Sequence, residues 1–268
     1  MTVRIVLAGA SGWVGRALIA AIAQAPDLSL VAAVSRKAAG KDAGEVAGVS
    51  SLGVRVVATI GEALDAPSDV LIDYTKPDVV KHHALSAIGH GRHVVIGTSG
   101  LSAHDYDTID VAAKEKQRGV LAAGNFSITA TLLRRFALEA ARYVPDVEVI
   151  DYAHAGKPDT PSGTGRELGE LLAQARQPST AKPVDQLGGV RETRGGAIGG
   201  PTPVQVHSVR MPSFVLSCEA IFGLADERLV IRHDAGSSAA PYVAGTLLAA
   251  RKVSGFVGVR RGLDSILD

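Results

Sequence analysis

The sequence predicts an α/β protein in which an N-terminal doubly wound parallel sheet is followed by a C-terminal α+β domain with an open sheet. Three observations carry that prediction. Short, wholly apolar runs alternate with helical stretches up to about Asn125, the rhythm of strands buried on both faces between covering helices. Past that point the strands alternate apolar with polar residues, the pattern of a sheet with one covered face. The first apolar run also ends in three glycines, Gly9, Gly12 and Gly15.

Val3, Ile5, Val6 and Leu7 form the first strand, and the glycines lead into a helix that continues from Arg16. Gly9 permits a tight turn, Gly12 lets backbone N–H groups approach a pyrophosphate, and Gly15 allows the helix to pack closely. The helix N-terminus then faces the anion. The spacing is G-x-x-G-x-x-G, so the motif alone also suits a turn that serves chain geometry only. A second strand spans 28–34, and Ser35-Arg36-Lys37 follows it. Two cations stand where an NAD enzyme usually carries an acid for the ribose 2′-hydroxyl, which suits a 2′-phosphate and favours NADPH over NADH; an ordinary basic loop is the alternative.

Residues 38–53 are weakly patterned and interrupted by glycine, and 54–57 form a third strand. A short helix at 61–64 precedes a strand at 70–73, which ends at Tyr74-Thr75-Lys76-Pro77. Ligands collect at such C-terminal strand ends. The helix 77–89 places His82 and His83 on its surface, and no third ligand residue suggests a metal. A strand at 93–97, the turn Thr98-Ser99-Gly100, a helix at 103–118 and a strand at 120–123 complete the pattern.

An amphipathic helix is expected over 126–143, with Ile128, Leu132, Leu133, Phe136, Leu138 and Ala140 as its apolar positions. Residues 147–152, 204–209, 217–222 and 228–232 alternate, each predicting one covered and one exposed face, and an open sheet often becomes an oligomer interface. The helix 241–253 is expected to return to the first domain. The dinucleotide-binding domain is therefore assigned to 1–125 plus about 236–268, and the substrate-binding and oligomerisation domain to 126–235.

With 268 residues, 46% of them hydrophobic, the chain can bury a substantial core. Its 28 basic and 27 acidic residues nearly cancel and neither half is basic, which argues against nucleic acid and for a small-molecule partner. No apolar run approaches the roughly 18 residues that a membrane span needs, and no signal-peptide pattern opens the chain, so a cytoplasmic protein is expected. The single cysteine, Cys218, excludes an intrachain disulfide and has the context of a small core residue.

A second constellation lies at 151–164, DYAHAGKPDTPSGT, between a strand and a helix. Ser162-Gly163-Thr164 stands where a capping hydroxyl and free N–H groups accumulate, a site sized for a carboxylate. His154 and Lys157 project from the same loop, a titratable group and a cation beside an anion pocket; a solvated loop with a helix cap is the alternative.

Taken together and in order, GASGWVG, Ile72-Asp-Tyr-Thr-Lys-Pro, Ile96-Gly-Thr-Ser-Gly, Gly124-Asn-Phe-Ser, Lys157-Pro-Asp-Thr-Pro-Ser-Gly-Thr, Gly196-Ala-Ile-Gly and Glu227-Arg-Leu-x-Ile-x-His233 resemble the bacterial 4-hydroxy-tetrahydrodipicolinate reductases. The resemblance spans nearly the whole chain. It implies a Rossmann-type domain that binds NAD(P)H, a mixed-sheet domain that forms a homotetramer, and hydride transfer to a cyclic unsaturated imino acid of lysine and diaminopimelate biosynthesis. By that match Gly9, Gly12, Val14, Arg36, Thr75, Gly97, Thr98, Ser99, Gly124, Asn125 and Phe126 line the cofactor, with Trp13, Gly15, Ser35, Lys37 and Tyr74 as further candidates. Lys157, Ser162, Gly163 and Thr164 would hold a substrate carboxylate. Lys157 would also assist proton delivery, and His154 is the second catalytic and substrate-binding candidate.

The departures fall on the second domain or its border. The family has two adjacent histidines before its lysine, and here those positions are Ala153 and His154, so the first, its general acid, is missing. Its arginine after Ser-Ser corresponds to Ala239, its Gly-x-His to Leu216-Ser-Cys218, and an insertion spans about 200–205. A general acid contributes about 10²–10⁴-fold. Three functions therefore compete: the reductase with a rearranged acid, a paralogue reducing another imine or unsaturated acid, and a non-catalytic NADPH-binding scaffold.

Overall fold

Val3–Ala8 (β1) enters Trp13–Gln24 (α1) and then Leu28–Val34 (β2), so the first strand–turn–helix–strand unit forms as its apolar pattern requires. The computed structural model describes residues 2–189 and 194–267. Ala43–Ala47 (α2) follows, a short helix within the stretch 38–53 to which the sequence assigns no element. Asp42 makes it possible, because its carboxylate accepts from the Gly44, Glu45 and Leu52 N–H groups and closes the loop on itself. The third strand is shorter than expected: only Val56–Val57 (β3) pairs with β2, while Arg55 makes an isolated antiparallel bridge to Asp42. Next come Ile60–Leu64 (α3), Val70–Asp73 (β4), Pro77–Gly89 (α4), His93–Ile96 (β5), Ala103–Glu115 (α5) and Gly119–Ala122 (β6). Ser102 and Asp105 form a reciprocal capping box at the start of α5.

Ile128–Ala141 (α6) is shorter at both ends than the periodicity suggests. It buries Ala130, Leu133, Ala137 and Ala141, whereas Phe136, an expected apolar position, is 53% exposed. Small residues set the buried stripe, and the bulkiest side chain stands off it. Then follow Asp146–Ala153 (β7), Gly163–Ala175 (α7), Gly196–Ile198 (β8), Val204–Arg210 (β9), Leu216–Leu224 (β10) and Glu227–Ala235 (β11). They form a five-stranded mixed sheet ordered β11-β10-β7-β9-β8, in which only β7 and β9 pair in parallel. Residues 200–205, expected as an insertion of this chain, join β8 to β9 and open β9. One face, with Val147, Val149, Val206, Ala220 and Phe222, packs against Leu133, Leu168 and Leu172 of α6 and α7. The alternation misleads at β11: this strand is an edge, and Leu229 and Val230, on opposite faces, are each 47% exposed. Cys218 is buried as expected, and burial pushes its thiol up to about 12.

Ala240–Lys252 (α8) and Gly258–Arg261 (β12) complete the first sheet, ordered β12-β6-β5-β4-β1-β2-β3 and parallel throughout. β12 has no apolar run to announce it. Neighbouring aromatic rings instead serve as platforms for its charged residues, with the Arg261 guanidinium over the Tyr106 ring and Arg260 over Phe256. Ile5 and Leu7 feed a core on one side of the sheet with Leu18, Ile19 and Ile22 of α1, while Val6 and Leu71 feed another with Val80, Ala84 and Ile88 of α4. The chain divides into two compact units, Met1–Ile128 with Ser238–Asp268, and Thr129–Ser237.

Candidate active site

In the first unit, every cofactor candidate lies just beyond the C-terminal end of a parallel strand, in the connecting loop or, for Trp13, Val14 and Gly15, in the first turn of α1. The strand order reverses at β1, between β2 and β4, which makes this edge the expected ligand crevice. Gly9 has φ +87°, and a Cβ there would stand 2.3 Å from the Tyr74 carbonyl oxygen. A Cβ on Gly15 would stand 2.2 Å from the Gly9 carbonyl, so this glycine packs the helix and offers no surface of its own. Gly12 caps α1 with no side-chain bond, and the first turn carries no acid. The Gly12 N–H donates to the Gly9 carbonyl at 3.0 Å and the first helical bond runs from the Arg16 N–H to the Gly12 carbonyl at 3.0 Å, so among the described residues the Trp13, Val14 and Gly15 N–H groups have no helical partner. That cradle fits a pyrophosphate. Val14 is half-buried, and Trp13 is 56% exposed with its ring edge-on to Tyr242.

The Ser11 and Ser35 hydroxyls bond at 2.7 Å and tie the glycine turn to the loop after β2. Arg36 and Lys37 project into solvent there, and no hydrogen bond or ion pair among the described residues engages them. They are free to meet an anion.

The loops after β4, β5 and β6 are held from below. Asp73 is fully buried; its Oδ1 accepts from the Thr75 N–H (2.9 Å), the Thr75 hydroxyl (2.6 Å) and the Thr98 hydroxyl (3.1 Å), and its Oδ2 meets His83 Nδ1 at 2.7 Å. His83 therefore turns inward, against the expectation that both histidines sit on the surface of α4; His82 does. The Tyr74 ring fills the space above Gly97, whose Cβ would stand 2.2 Å from it, and its hydroxyl meets Thr246 at 2.6 Å. Burial raises the Tyr74 phenol above its ordinary range. Phe126 is 1% exposed and its ring lies 6.0 Å from Tyr74. The Tyr74, Thr98 and Phe126 side chains are engaged by the fold, so these loops present mainly backbone, with Ser99 and Gly124 exposed and Asn125 half-buried. The Asn125 amide oxygen accepts from the Ser127 N–H at 2.8 Å and fixes the turn into α6.

In the second unit, the substrate candidates occupy one loop between β7 and α7. His154 is exposed, and its carbonyl accepts the Lys157 N–H at 3.0 Å. Lys157 Nζ donates to Asp159 at 3.2 Å. Ser162 is buried, and its hydroxyl is fully committed, donating to Asp151 at 2.5 Å and accepting from the Gly165 N–H at 3.2 Å. Ser162 thereby ties the loop to β7 and to the start of α7. The Gly163 and Thr164 N–H groups have no partner among the described residues at the start of α7, whose first turn has no acid.

Two anchors here had no local signal. Asp151, fully buried, accepts from the Ser162 N–H at 2.8 Å and from Arg210 at 2.7 Å, and Arg210 also donates to the Asp159 carbonyl. Asp151 stands in the singled-out stretch, but its partner Arg210 lies 59 residues away. Ala153 is fully buried at the end of β7. His233 of the last matching motif is buried on β11, paired across the sheet with Cys218 and bonded to Thr129 at 3.0 Å; burial lowers its pKa.

The model of the dihydrodipicolinate reductase N-terminus matches residues 3–126, and that of the C-terminus matches 129–264. The chain belongs to the dihydrodipicolinate reductase family. It is 34% identical over 268 residues to the 4-hydroxy-tetrahydrodipicolinate reductase of Desulfitobacterium hafniense, with 99% of each chain covered. To that of Moorella thermoacetica it is 37% identical over 269 residues, covering 100% of this chain and 98% of the relative. Dipicolinate-bound dihydrodipicolinate reductase from Paenisporosarcina sp. TG-14 superposes with a TM-score of 0.87 at 27% identity, with both chains fully covered. An amine dehydrogenase from Mycobacterium smegmatis, with a TM-score of 0.66 and 14% identity over 97% of this chain and 95% of its own, shares the fold. The chain is thus an oxidoreductase of this family, with a nicotinamide-binding first unit.

Proposed function

We propose that the protein reduces 4-hydroxy-tetrahydrodipicolinate to tetrahydrodipicolinate with NADPH, in lysine and diaminopimelate biosynthesis. The observation that carries this is the intact loop of Lys157 and the uncapped N–H groups of Gly163 and Thr164, held by Asp151. When bound, the cofactor supplies a hydride. The glycine turn of α1 would hold its pyrophosphate, with Arg36 and Lys37 on the 2′-phosphate. Lys157 would leave Asp159 for a substrate carboxylate, which the Gly163 and Thr164 N–H groups complete, and its charge would stabilise the ring as hydride arrives. With alanine at 153, proton delivery falls to Lys157 or His154. A carboxylate clamp has no use in a non-catalytic scaffold.

The protein with NADPH and freshly generated 4-hydroxy-tetrahydrodipicolinate is expected to oxidise the cofactor with a kcat of about 1–10³ s⁻¹. The buried alanine at 153 favours one other reading, a paralogue acting on a different cyclic imino acid; no turnover on the first substrate with turnover on a panel of such acids would establish it. Arg36→Asp is expected to move the preference from NADPH toward NADH, since it exchanges a phosphate partner for a ribose partner. Ratios of kcat/KM for the two cofactors check this, and an unchanged NADPH preference assigns the phosphate to Ser35 or Lys37. No helix among the described residues is long and apolar enough to cross a membrane, in keeping with a cytoplasmic location. The half-exposed Leu229 and Val230 on the edge strand support self-association as a homotetramer.

A further inference from the structure

Asp73 and His83 form a buried pair that hydride transfer itself does not use. Asp73 is the last residue of β4, has no exposed surface, and takes four donors. A carboxylate only accepts, so His83 donates from Nδ1. Three of the donors come from Thr75 and Thr98, which belong to the loops after two adjacent strands, β4 and β5. The fourth comes from α4, one helical turn and more beyond the first loop. With its side chain 13% exposed, His83 is the sole partner of Oδ2 among the described residues. A buried carboxylate oxygen left without a donor is costly, so the group would turn toward whatever donor remained and take Thr75 and Thr98 with it.

We infer that Asp73, anchored by His83, is the positioning residue that sets the loops after β4 and β5 for the nicotinamide cofactor; the inference rests on the proposed binding of NADPH to those loops. The hydroxyls of Thr75 and Thr98 are not cofactor ligands. They are the handles by which one carboxylate orients the peptide groups of Thr75, Gly97 and Ser99. The pair acts on binding of the cofactor and not on the clamp around Lys157, which lies in the other unit.

The test is NADPH titration by fluorescence, alongside steady-state kinetics, for the wild-type protein, His83→Leu, His83→Gln and Asp73→Asn. His83→Leu is expected to raise the Kd and KM for NADPH about tenfold, the worth of one hydrogen bond to a buried charge. The KM for the imino acid and the kcat at saturating NADPH should change far less. His83→Gln, whose amide donates, and Asp73→Asn, which keeps an oxygen for the threonines while His83 accepts in its other tautomer, should recover most of the affinity. Should His83→Leu not fold, Thr98→Val removes one handle and should still weaken NADPH several-fold. A folded His83→Leu that binds NADPH like the wild type overturns the role of Asp73. Equal losses in kcat and in both KM values overturn it too, in favour of a purely structural pair. A wild-type protein that binds no NADPH overturns the cofactor reading itself.

Discussion

Lys157→Ala is expected to lower kcat/KM for the imino acid by about 10²–10⁴-fold, the range for loss of a group that both pairs with charge and moves a proton. The dissociation constant for NADPH should stay within about threefold, because no phosphate or ribose contact is assigned to the second unit. Asp159 has a side chain 62% exposed, and its bond to Nζ is 3.2 Å. An exposed pair of this kind is worth about 0–1 kcal/mol, so a substrate carboxylate that also receives the Gly163 and Thr164 N–H groups displaces it at little cost. Lys157→Arg tests the same point. A guanidinium keeps the charge but is a planar fork where the loop presents a point donor, and it cannot give up a proton near neutral pH. It should recover substrate affinity in KM without recovering kcat. Steady-state kinetics with cofactor titration checks both variants, and a Lys157→Ala enzyme of unchanged rate removes the lysine from the reaction.

What the sequence reveals and what it conceals divide along one physical line. The parallel sheet is legible because Ile5, Val6, Leu7, Leu71 and Ile72 are buried on both faces and must all be apolar. The glycine turn and the Ser162 cap are legible because their geometry is closed by residues within a few positions of each other. Asp73 and His83 are not, since a histidine on an amphipathic helix has the same local context whether it meets solvent or a carboxylate 10 residues back. Arg210 closes a strand of mixed polarity like any exposed arginine, and only the register β7·β9, Ala153 opposite Arg210, brings it beneath the loop. β12 is concealed for the converse reason: Arg260 and Arg261 are charged, yet the strand pairs and rests them on aromatic rings. Local rules thus locate the surfaces that meet ligands, while the buried charges that aim those surfaces come from the fold.

The second large effect is expected at Arg210. Its side chain is 14% exposed and Asp151 is wholly buried, so Arg210→Met leaves a carboxylate in the interior to which, among the described residues, only Ser162 and, at 3.5 Å, Ser208 donate. Breaking one partner of a buried pair costs about 3–5 kcal/mol. The same change frees the Asp159 carbonyl, two residues from Lys157, so activity should fall even at temperatures where the variant is folded. Methionine matches the arginine stem in length and flexibility, which separates loss of charge from loss of packing. Adding Asp151→Asn should then restore part of the stability, because the stranded charge is gone while an oxygen remains for the Ser162 N–H and hydroxyl. Arg210→Lys should fall between, keeping the charge without the fork that reaches Asp151 and the loop carbonyl together. Denaturant unfolding of the three variants, with kcat/KM measured well below each midpoint, decides the matter. A single Arg210→Met variant within about 1 kcal/mol of the wild type would show that Ser162 and Ser208 satisfy Asp151 unaided, and an Arg210→Met enzyme of full activity would show that the Lys157 loop holds its shape without this anchor.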